Sequence, residues 1–281
     1  MKIGLFGFAL GMSAMFAMPA SAGVVTVTPS SMGDWAFTNA DGNSLVGNNP
    51  TGNGSMVNGP ATPPAGTGSA NLATGNGTTG GDGAEILASS GYAGVALSSI
   101  TALSYSTFAT SNNTQQMPYL RLEVSYGNGL FDQIFFEPPY QTPTSGNPAL
   151  PDQGASVLNS WQTWDALAGG WWDNAGLCGS PGSGVVSFSN CTAALQNAVI
   201  VNDRGVPDAL IGVGGIQFTV GFASDTDVFN GNVDNFTIGV DSESTTYDFE
   251  AVDATGAPEP FSIALFGAGL SGLAFSRRRR K

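Results

Sequence analysis

The sequence contains no histidine among its 281 residues. This absence excludes histidine-based catalytic triads and histidine-ligated zinc or haem, and it removes the commonest general base of enzymes. Cysteine is almost as scarce, since Cys178 and Cys191 are the complete set. Two cysteines without histidine disfavour both a zinc site and a catalytic thiol. They lie close in the sequence, so we expect a disulfide in an oxidising compartment.

Basic residues are also few, with eight Lys or Arg against 21 Asp or Glu and a net charge of −13. Residues 23–257 contain only Arg121 and Arg204, against 20 acidic residues. A nucleic-acid-binding domain needs clustered Lys and Arg to neutralise phosphates, so no nucleic-acid partner is expected. An acidic body rich in Gly, Ser, Thr and Asn suits solubility outside the cell or the binding of divalent cations.

The first 22 residues, MKIGLFGFALGMSAMFAMPASA, predict a signal peptide. One positive charge at Lys2 precedes an apolar stretch, and the small residues Ala20 and Ala22 place the expected cleavage site before Gly23. A retained membrane anchor is the alternative. Cleavage would send the body into an exported, oxidising compartment, where a Cys178–Cys191 disulfide would persist.

The chain ends with APEPFSIALFGAGLSGLAFSRRRRK. Residues 261–276 carry no charge, and as a helix they would be about 24 Å long, which is short of a roughly 30 Å hydrocarbon core. The basic residues that follow would hold the cytoplasmic end of such a helix. Physical chemistry alone therefore predicts a marginal transmembrane helix at residues 261–276.

Residues 258–281 closely resemble the PEP-CTERM sorting signal of Gram-negative bacteria, in which a short hydrophobic helix separates a Pro-Glu-Pro motif from an Arg-rich end. An alanine precedes the motif here, where valine is common. The resemblance implies that an exosortase removes the tail after transient insertion in the inner membrane. Release to the cell surface or an exopolysaccharide matrix would follow, whereas a permanent inner-membrane anchor is the alternative. The matching residues are Pro258, Glu259, Pro260, Arg277, Arg278, Arg279 and Arg280.

Residues 39–83 differ in composition from the rest of the body. No aromatic residue occurs between Thr38 and Gly91, and no charged residue occurs between Asp41 and Asp82. Such a Gly-, Asn- and Thr-rich stretch buries too little apolar surface to offset the entropy of ordering. We therefore predict a long loop or flexible segment within a body that spans residues 23–257.

Hydrophobic residues alternate with polar ones in LRLEVSY (120–126), GIQFTVGF (215–222), NFTIGV (235–240) and TYDFEA (246–251). A period of two with one polar side is typical of half-buried antiparallel strands. Many such strands separated by Gly, Asn, Asp and Pro turns predict an all-β fold, a β-sandwich of the jelly-roll kind. The stretches GDWAF, PYLRLEV and FNGNVDNFTIGVDSESTTYDFE resemble concanavalin/laminin-G-like or galactose-binding-like modules. That resemblance implies the fold and, by analogy, glycan binding.

Four of the five tryptophans lie in WQTWDALAGGWW, and their indole rings are candidates for a sugar-binding platform. Rings of this size also commonly fill a core beneath a loop, and the sequence leaves both interpretations open. The residues are Trp161, Trp164, Trp171 and Trp172.

The stretch SDTDVFNGNVDN is rich in oxygen ligands of the kind that Ca²⁺ prefers. It lacks the glycine and glutamate positions of an EF-hand, and a turn that satisfies its own backbone is the alternative. The possible Ca²⁺ ligands are Asp225, Asp227, Asn230, Asn232 and Asp234, and a weaker candidate loop contains Asn202, Asp203 and Asp208.

Taken together, these patterns favour an exported structural or glycan-interacting protein without a required cofactor. A carbohydrate-active enzyme is an alternative, because glycoside hydrolysis needs two carboxylates across the scissile bond. The candidates for this catalytic pair are Glu123, Asp132 and Glu137, although the strand motif of jelly-roll glucanases is absent. A passive surface coat or an ice-associated protein is the other alternative.

Overall fold

A computed structural model describes residues 23–40, 54–74, 84–112, 116–127, 129–202, 215–221 and 228–252. The prediction of an all-β fold is confirmed, because two β-sheets pack face to face around a hydrophobic core. The strands are β1 (Gly23–Val27), β2 (Trp35–Ala40), β3 (Ser55–Asn58), β4 (Gly68–Thr74), β5 (Ala84–Ser89), β6 (Ile100–Ser111), β7 (Tyr119–Tyr126), β8 (Leu130–Phe136), β9 (Gln162–Asp165), β10 (Gly170–Asp173), β11 (Val186–Ser187), β12 (Val199–Ile200), β13 (Ile216–Gly221), β14 (Phe229–Val240) and β15 (Glu243–Phe249).

Strand β14 organises the seven-stranded sheet. One of its edges pairs with β6 along most of its length, while the other edge pairs first with β4 and then with β15. Strands β3, β1 and β9 complete the sheet beside β4, β15 and β6 respectively. Among the described strands, β1 and β15 form the one parallel pair.

The eight-stranded sheet has the order β11-β10-β8-β7-β13-β5-β2, and β12 pairs with the far end of β7. Among its central strands, β7 and β8 follow each other in the chain, whereas β10 and β13 come from later segments, and all four are antiparallel to their neighbours. These four strands therefore lie side by side, and their outward-pointing side chains form a face turned away from the other sheet.

The core between the two sheets is aromatic. Trp35 stacks on Phe218 and contacts Phe236, Tyr247 and Phe249 edge-on, at centroid distances of 5.1–6.0 Å. The alternation in the sequence explains this packing, since the aromatic residues of β13, β14 and β15 occupy inward positions, with a shift of the alternation in β14 after Asp234. Aromatic pairs in these geometries add about 0.5–1.5 kcal/mol each to the burial of their surface.

The prediction of a loop over residues 39–83 is wrong for β3 and β4, which are regular strands. Strand β4 is mostly buried, since it pairs with β14 on one edge and β3 on the other and its asparagine joins an amide network. Asn71 Nδ2 donates to Asn230 Oδ1 at 2.8 Å and to Asn232 Oδ1 at 3.1 Å. Residues 41–53 and 75–83 lie outside the described part of the chain.

The predicted disulfide between Cys178 and Cys191 is present. It ties the loop after β10 to the short helix α1 (Phe188–Ala194). Ser187 caps this helix, since its hydroxyl accepts a hydrogen bond from the backbone N–H of Asn190 at 3.2 Å. Closure of a loop of this size stabilises the fold by roughly 3 kcal/mol in the chain-entropy model.

Strand β1 begins at Gly23, the first described residue and the one that follows the predicted signal cleavage site. The signal peptide, the hydrophobic helix 261–276 and the sorting motif at residues 258–260 lie outside the described residues. Within the described ranges, no helix has the length and apolar character needed to cross a membrane.

Candidate functional site

The candidate site lies on the outer face of the eight-stranded sheet. Along β7, Leu120, Leu122 and Val124 point into the core and are fully buried, which sends Arg121 and Glu123 to the opposite face. The registers of β10, β8, β7 and β13 then align their outward side chains in cross-strand rows.

The middle row combines two aromatic rings with a cation. Trp172 lies opposite Phe135, and Phe135 lies opposite Arg121. The rings of Trp172 and Phe135 stack at 4.3 Å with an interplanar angle of 18°. Arg121 Nε donates to Gln217 Oε1 at 2.8 Å, and its Nε lies 3.8 Å from Glu123 Oε1. The guanidinium is therefore held by the protein itself, with only 3% of Arg121 exposed.

A polar row borders these rings on one side. Asn174 Nδ2 donates to Gln133 Oε1 at 3.3 Å, and Gln133 Nε2 donates to Glu123 Oε1 at 2.6 Å. Each member is fixed by the next, so the amides of Asn174 and Gln133 hold defined orientations. The row supplies both donors and acceptors beside an aromatic surface.

Glu137 borders the rings on the other side. It directly follows β8, and its Oε2 accepts a hydrogen bond from Trp172 Nε1 at 3.2 Å. Burial raises the pKa of the Glu137 carboxyl to about 7, although the Trp172 hydrogen bond opposes this rise. The carboxyl therefore exists in both protonation states near neutral pH.

These rows enclose a pocket of about 330 Å³. This volume is at the lower end of the range for small-ligand sites, which combine apolar walls with a few fixed polar groups. The lining residues are Gln116, Tyr119, Arg121, Gln133, Phe135, Glu137, Trp172, Asn174 and Gly221.

The four tryptophans of the predicted platform are not brought together. Trp164 and Trp171 are fully buried in the core, so their assignment to a binding surface is wrong. Trp161 lies neither in the core nor at the pocket. It is half-buried against Phe108, and its Nε1 donates to the Pro60 carbonyl at 2.9 Å. Only Trp172, which is half-buried, lines the pocket.

The three candidate carboxylates are divided between the two faces of the sheet. Glu123 and Glu137 lie on the outer face, whereas Asp132 lies opposite Val124 and points inward. Asp132 meets Asp173 there, and burial together with the neighbouring Asp173 raises the pKa of the Asp132 carboxyl to about 6.

The predicted calcium loop is wrong over residues 230–234, which belong to strand β14. Asp234 Oδ2 accepts from the backbone N–H of Ala65 at 3.0 Å, and its Oδ1 accepts from that of Phe249 at 3.2 Å. Burial nevertheless raises the pKa of Asp234 to about 7. The described ranges contain no group of three or more Asp, Glu, Cys or His side chains suited to a metal. Asp225 and Asp227 lie outside them.

The weaker candidate loop is described only at Asn202. Its Nδ2 donates to the Ser90 carbonyl at 2.9 Å, and its Oδ1 accepts from the backbone N–H of Gly215 at 3.2 Å. Asn202 therefore joins two chain segments in a structural role. Asp203 and Asp208 lie outside the described residues.

The sequence analysis did not single out Tyr119, Arg121, Gln133, Phe135 or Asn174 as site residues. One signal pointed to the pocket: in the strand GWWD, Trp171 and Trp172 must face opposite sides of the sheet. No family model, curated protein or solved structure matches this chain. Its function is therefore inferred from the pocket and from the two terminal segments.

Proposed function

We propose that this chain is an exported jelly-roll protein, sorted by an exosortase, that binds glycans of the cell surface or exopolysaccharide through the pocket around Trp172. The observation that carries the binding proposal is the stacked Trp172–Phe135 pair between two polar rows. The terminal segments support the export and sorting steps, which place the pocket where such glycans occur.

The chemistry of the pocket suits a sugar. A pyranose ring presents apolar C–H faces and a rim of hydroxyls, and the hydroxyls both donate and accept hydrogen bonds. Trp172, Phe135 and Tyr119 supply aromatic surface. The amides of Gln116, Gln133 and Asn174 supply donors and acceptors at the pocket wall.

The spacing of the outer-face carboxylates favours binding over hydrolysis. Glu123 lies opposite Gln133, and Glu137 follows Gln133 by four residues. At about 3.3 Å per residue, their backbone positions are roughly 13 Å apart. Glu123 is also held by Gln133 and Arg121, and of the two glutamates Glu137 alone is among the pocket-lining residues. Glycoside hydrolases hold their two carboxyls about 5–5.5 Å apart for retention and about 6.5–9.5 Å apart for inversion. On β8, Phe135 lies between Glu137 and Gln133, which is the cross-strand partner of Glu123.

Replacing Trp172 by alanine is expected to weaken glycan binding at least tenfold, because the stacked ring and its hydrogen bond to Glu137 are both lost. Trp161→Ala is the matched control, since Trp161 is also half-buried, also contacts one phenylalanine ring and also donates through Nε1. Titration calorimetry with glycans selected on an array measures both variants, in Ca²⁺ and in EDTA.

Equal affinity of Trp172→Ala and the unaltered protein would remove the pocket from the proposal. Absence of saturable binding to any glycan would favour a passive coat or an ice-associated protein. Release of reducing sugar that disappears in Glu123→Gln or Glu137→Gln would instead favour a hydrolase.

The sorting step predicts a specific loss of mass. In producing cells with an intact exosortase, the surface protein is expected to lack residues 1–22 and residues 261–281, because both terminal segments are removed. Intact-mass spectrometry of the surface fraction measures this directly. A strain without the exosortase is the control and should retain the tail in the membrane fraction. A surface protein that still carries residues 261–281 would contradict the sorting proposal.

A further inference from the structure

We propose that the pocket selects an uncharged sugar unit, and that the Glu137 carboxyl donates a hydrogen bond to one of its hydroxyls. This inference rests on the proposed glycan-binding function and adds the class of ligand and its control by pH. It starts from the charges that line the pocket.

The pocket offers little net charge to an ionic ligand. Arg121 is the only Lys or Arg among the described residues, and it is held by Gln217 and Glu123. Its charge is therefore balanced within the protein, which leaves no strong attraction for a uronate carboxylate. The acidic body would also repel a polyuronate, since residues 23–257 contain 20 acidic residues and two basic ones.

The neutral lining groups match hydroxyls better than ions. The amides of Gln116, Gln133 and Asn174 each combine a donor with an acceptor. Below neutral pH, Glu137 adds an O–H donor next to Trp172. A cationic amino sugar would need the ionised form of Glu137, so the two ligand classes predict opposite responses to pH.

Glu137 is the pocket group that changes charge near neutral pH. The titratable groups that interact with it are tyrosines from three elements: Tyr119 on β7, Tyr105 on β6 and Tyr140 in the 3-10 helix Pro138–Tyr140. Burial raises the pKa of all three above its ordinary value of about 10, so they stay neutral between pH 6 and 8.5.

The test measures the affinity of the full-length chain for six probes, in a detergent without a sugar headgroup. The probes are β-1,4-linked hexasaccharides of glucose, glucuronate and glucosamine, and of galactose, galacturonate and galactosamine. We expect a neutral probe to bind best at pH 6 and about 30-fold more weakly at pH 8.5, the fold-change given by the fraction of protonated Glu137. Glu137→Gln keeps a donor in its amide N–H₂, so its affinity for the neutral probe should be similar at pH 6 and at pH 8.5.

Asp234→Asn is the control for pH effects outside the pocket, because Asp234 also titrates near neutral pH but lies on the other sheet. It should keep the 30-fold change. A second measurement does not depend on any variant: the pKa of Glu137, followed by carboxyl ¹³C NMR, should rise when the neutral probe binds.

Three outcomes would overturn the inference and keep the glycan-binding function: best binding of a uronate, binding of an amino sugar that strengthens with pH, or neutral binding that ignores pH. An unchanged or lowered pKa of Glu137 in the complex would also overturn it. If none of the six probes nor any arrayed glycan binds at any pH, the proposed function fails as well.

Discussion

Replacing Trp171 by alanine is expected to lower the free energy of unfolding by about 3–5 kcal/mol, the usual cost of truncating a buried tryptophan. The ring is fully buried between Phe136 and Phe188, at centroid distances of 5.7 and 5.2 Å. Its Nε1 donates to the Ala166 carbonyl at 2.7 Å, and truncation leaves that acceptor without its donor. Urea denaturation followed by circular dichroism measures the change.

The neighbouring Trp172→Ala is the natural comparison, because it removes the same side chain from the other face of the same strand. Trp172 is only half-buried, so its truncation should cost less stability while affecting binding more. A loss below about 1 kcal/mol in Trp171→Ala would contradict the placement of this ring in the core. Equal losses in the two variants would contradict the assignment of the two faces.

Stability is expected to fall as the pH rises from 5 to 8, by several kcal/mol. Burial raises the pKa of Asp234 and Glu137 to about 7 and that of Asp132 to about 6. Unfolded, these carboxyls release their protons near pH 4. Between pH 4 and 7 the folded state therefore binds more protons than the unfolded state, and the free energy of unfolding decreases with pH.

Urea denaturation at pH 5, 6, 7 and 8 and constant ionic strength measures this dependence. Glu137→Gln is the informative variant, since it removes one of the three groups and should make the decrease smaller. Repulsion within the acidic body adds a decrease of the same sign, and high salt should suppress that part alone. A free energy of unfolding that increases from pH 5 to 8 would contradict the prediction.

Much of the fold could be predicted from local alternation. The inward positions of β7 and β13 follow directly from the period of two, and Phe218 and Leu122 are fully buried as expected. Strands β3 and β4 could not be predicted in this way, because a pattern of hydrophobic residues does not reveal a strand that is held by side-chain amide hydrogen bonds. Asn71 stabilises β4 through bonds to β14, more than 150 residues further along the chain.

The pocket was less predictable than the fold. Alternation places Arg121 and Glu123 on a polar face, which suggests exposure to solvent, yet they are only 3% and 5% exposed. Their burial depends on Gln133 and Gln217. Gln133 lies on the next strand along the chain, but Gln217 comes from β13, which the sequence does not show to be a neighbour of β7. Strand order is a tertiary property, so a cross-strand row such as Trp172–Phe135–Arg121 is visible only in three dimensions.

The parallel pairing of β1 with β15 also determines how the molecule responds to mechanical tension. Gly23 lies opposite Thr245 and Val27 lies opposite Phe249, so the chain enters at one end of this pair and leaves at the other. A pull between the two chain ends slides the strands along each other instead of peeling them apart. All five residue pairs then resist the force together.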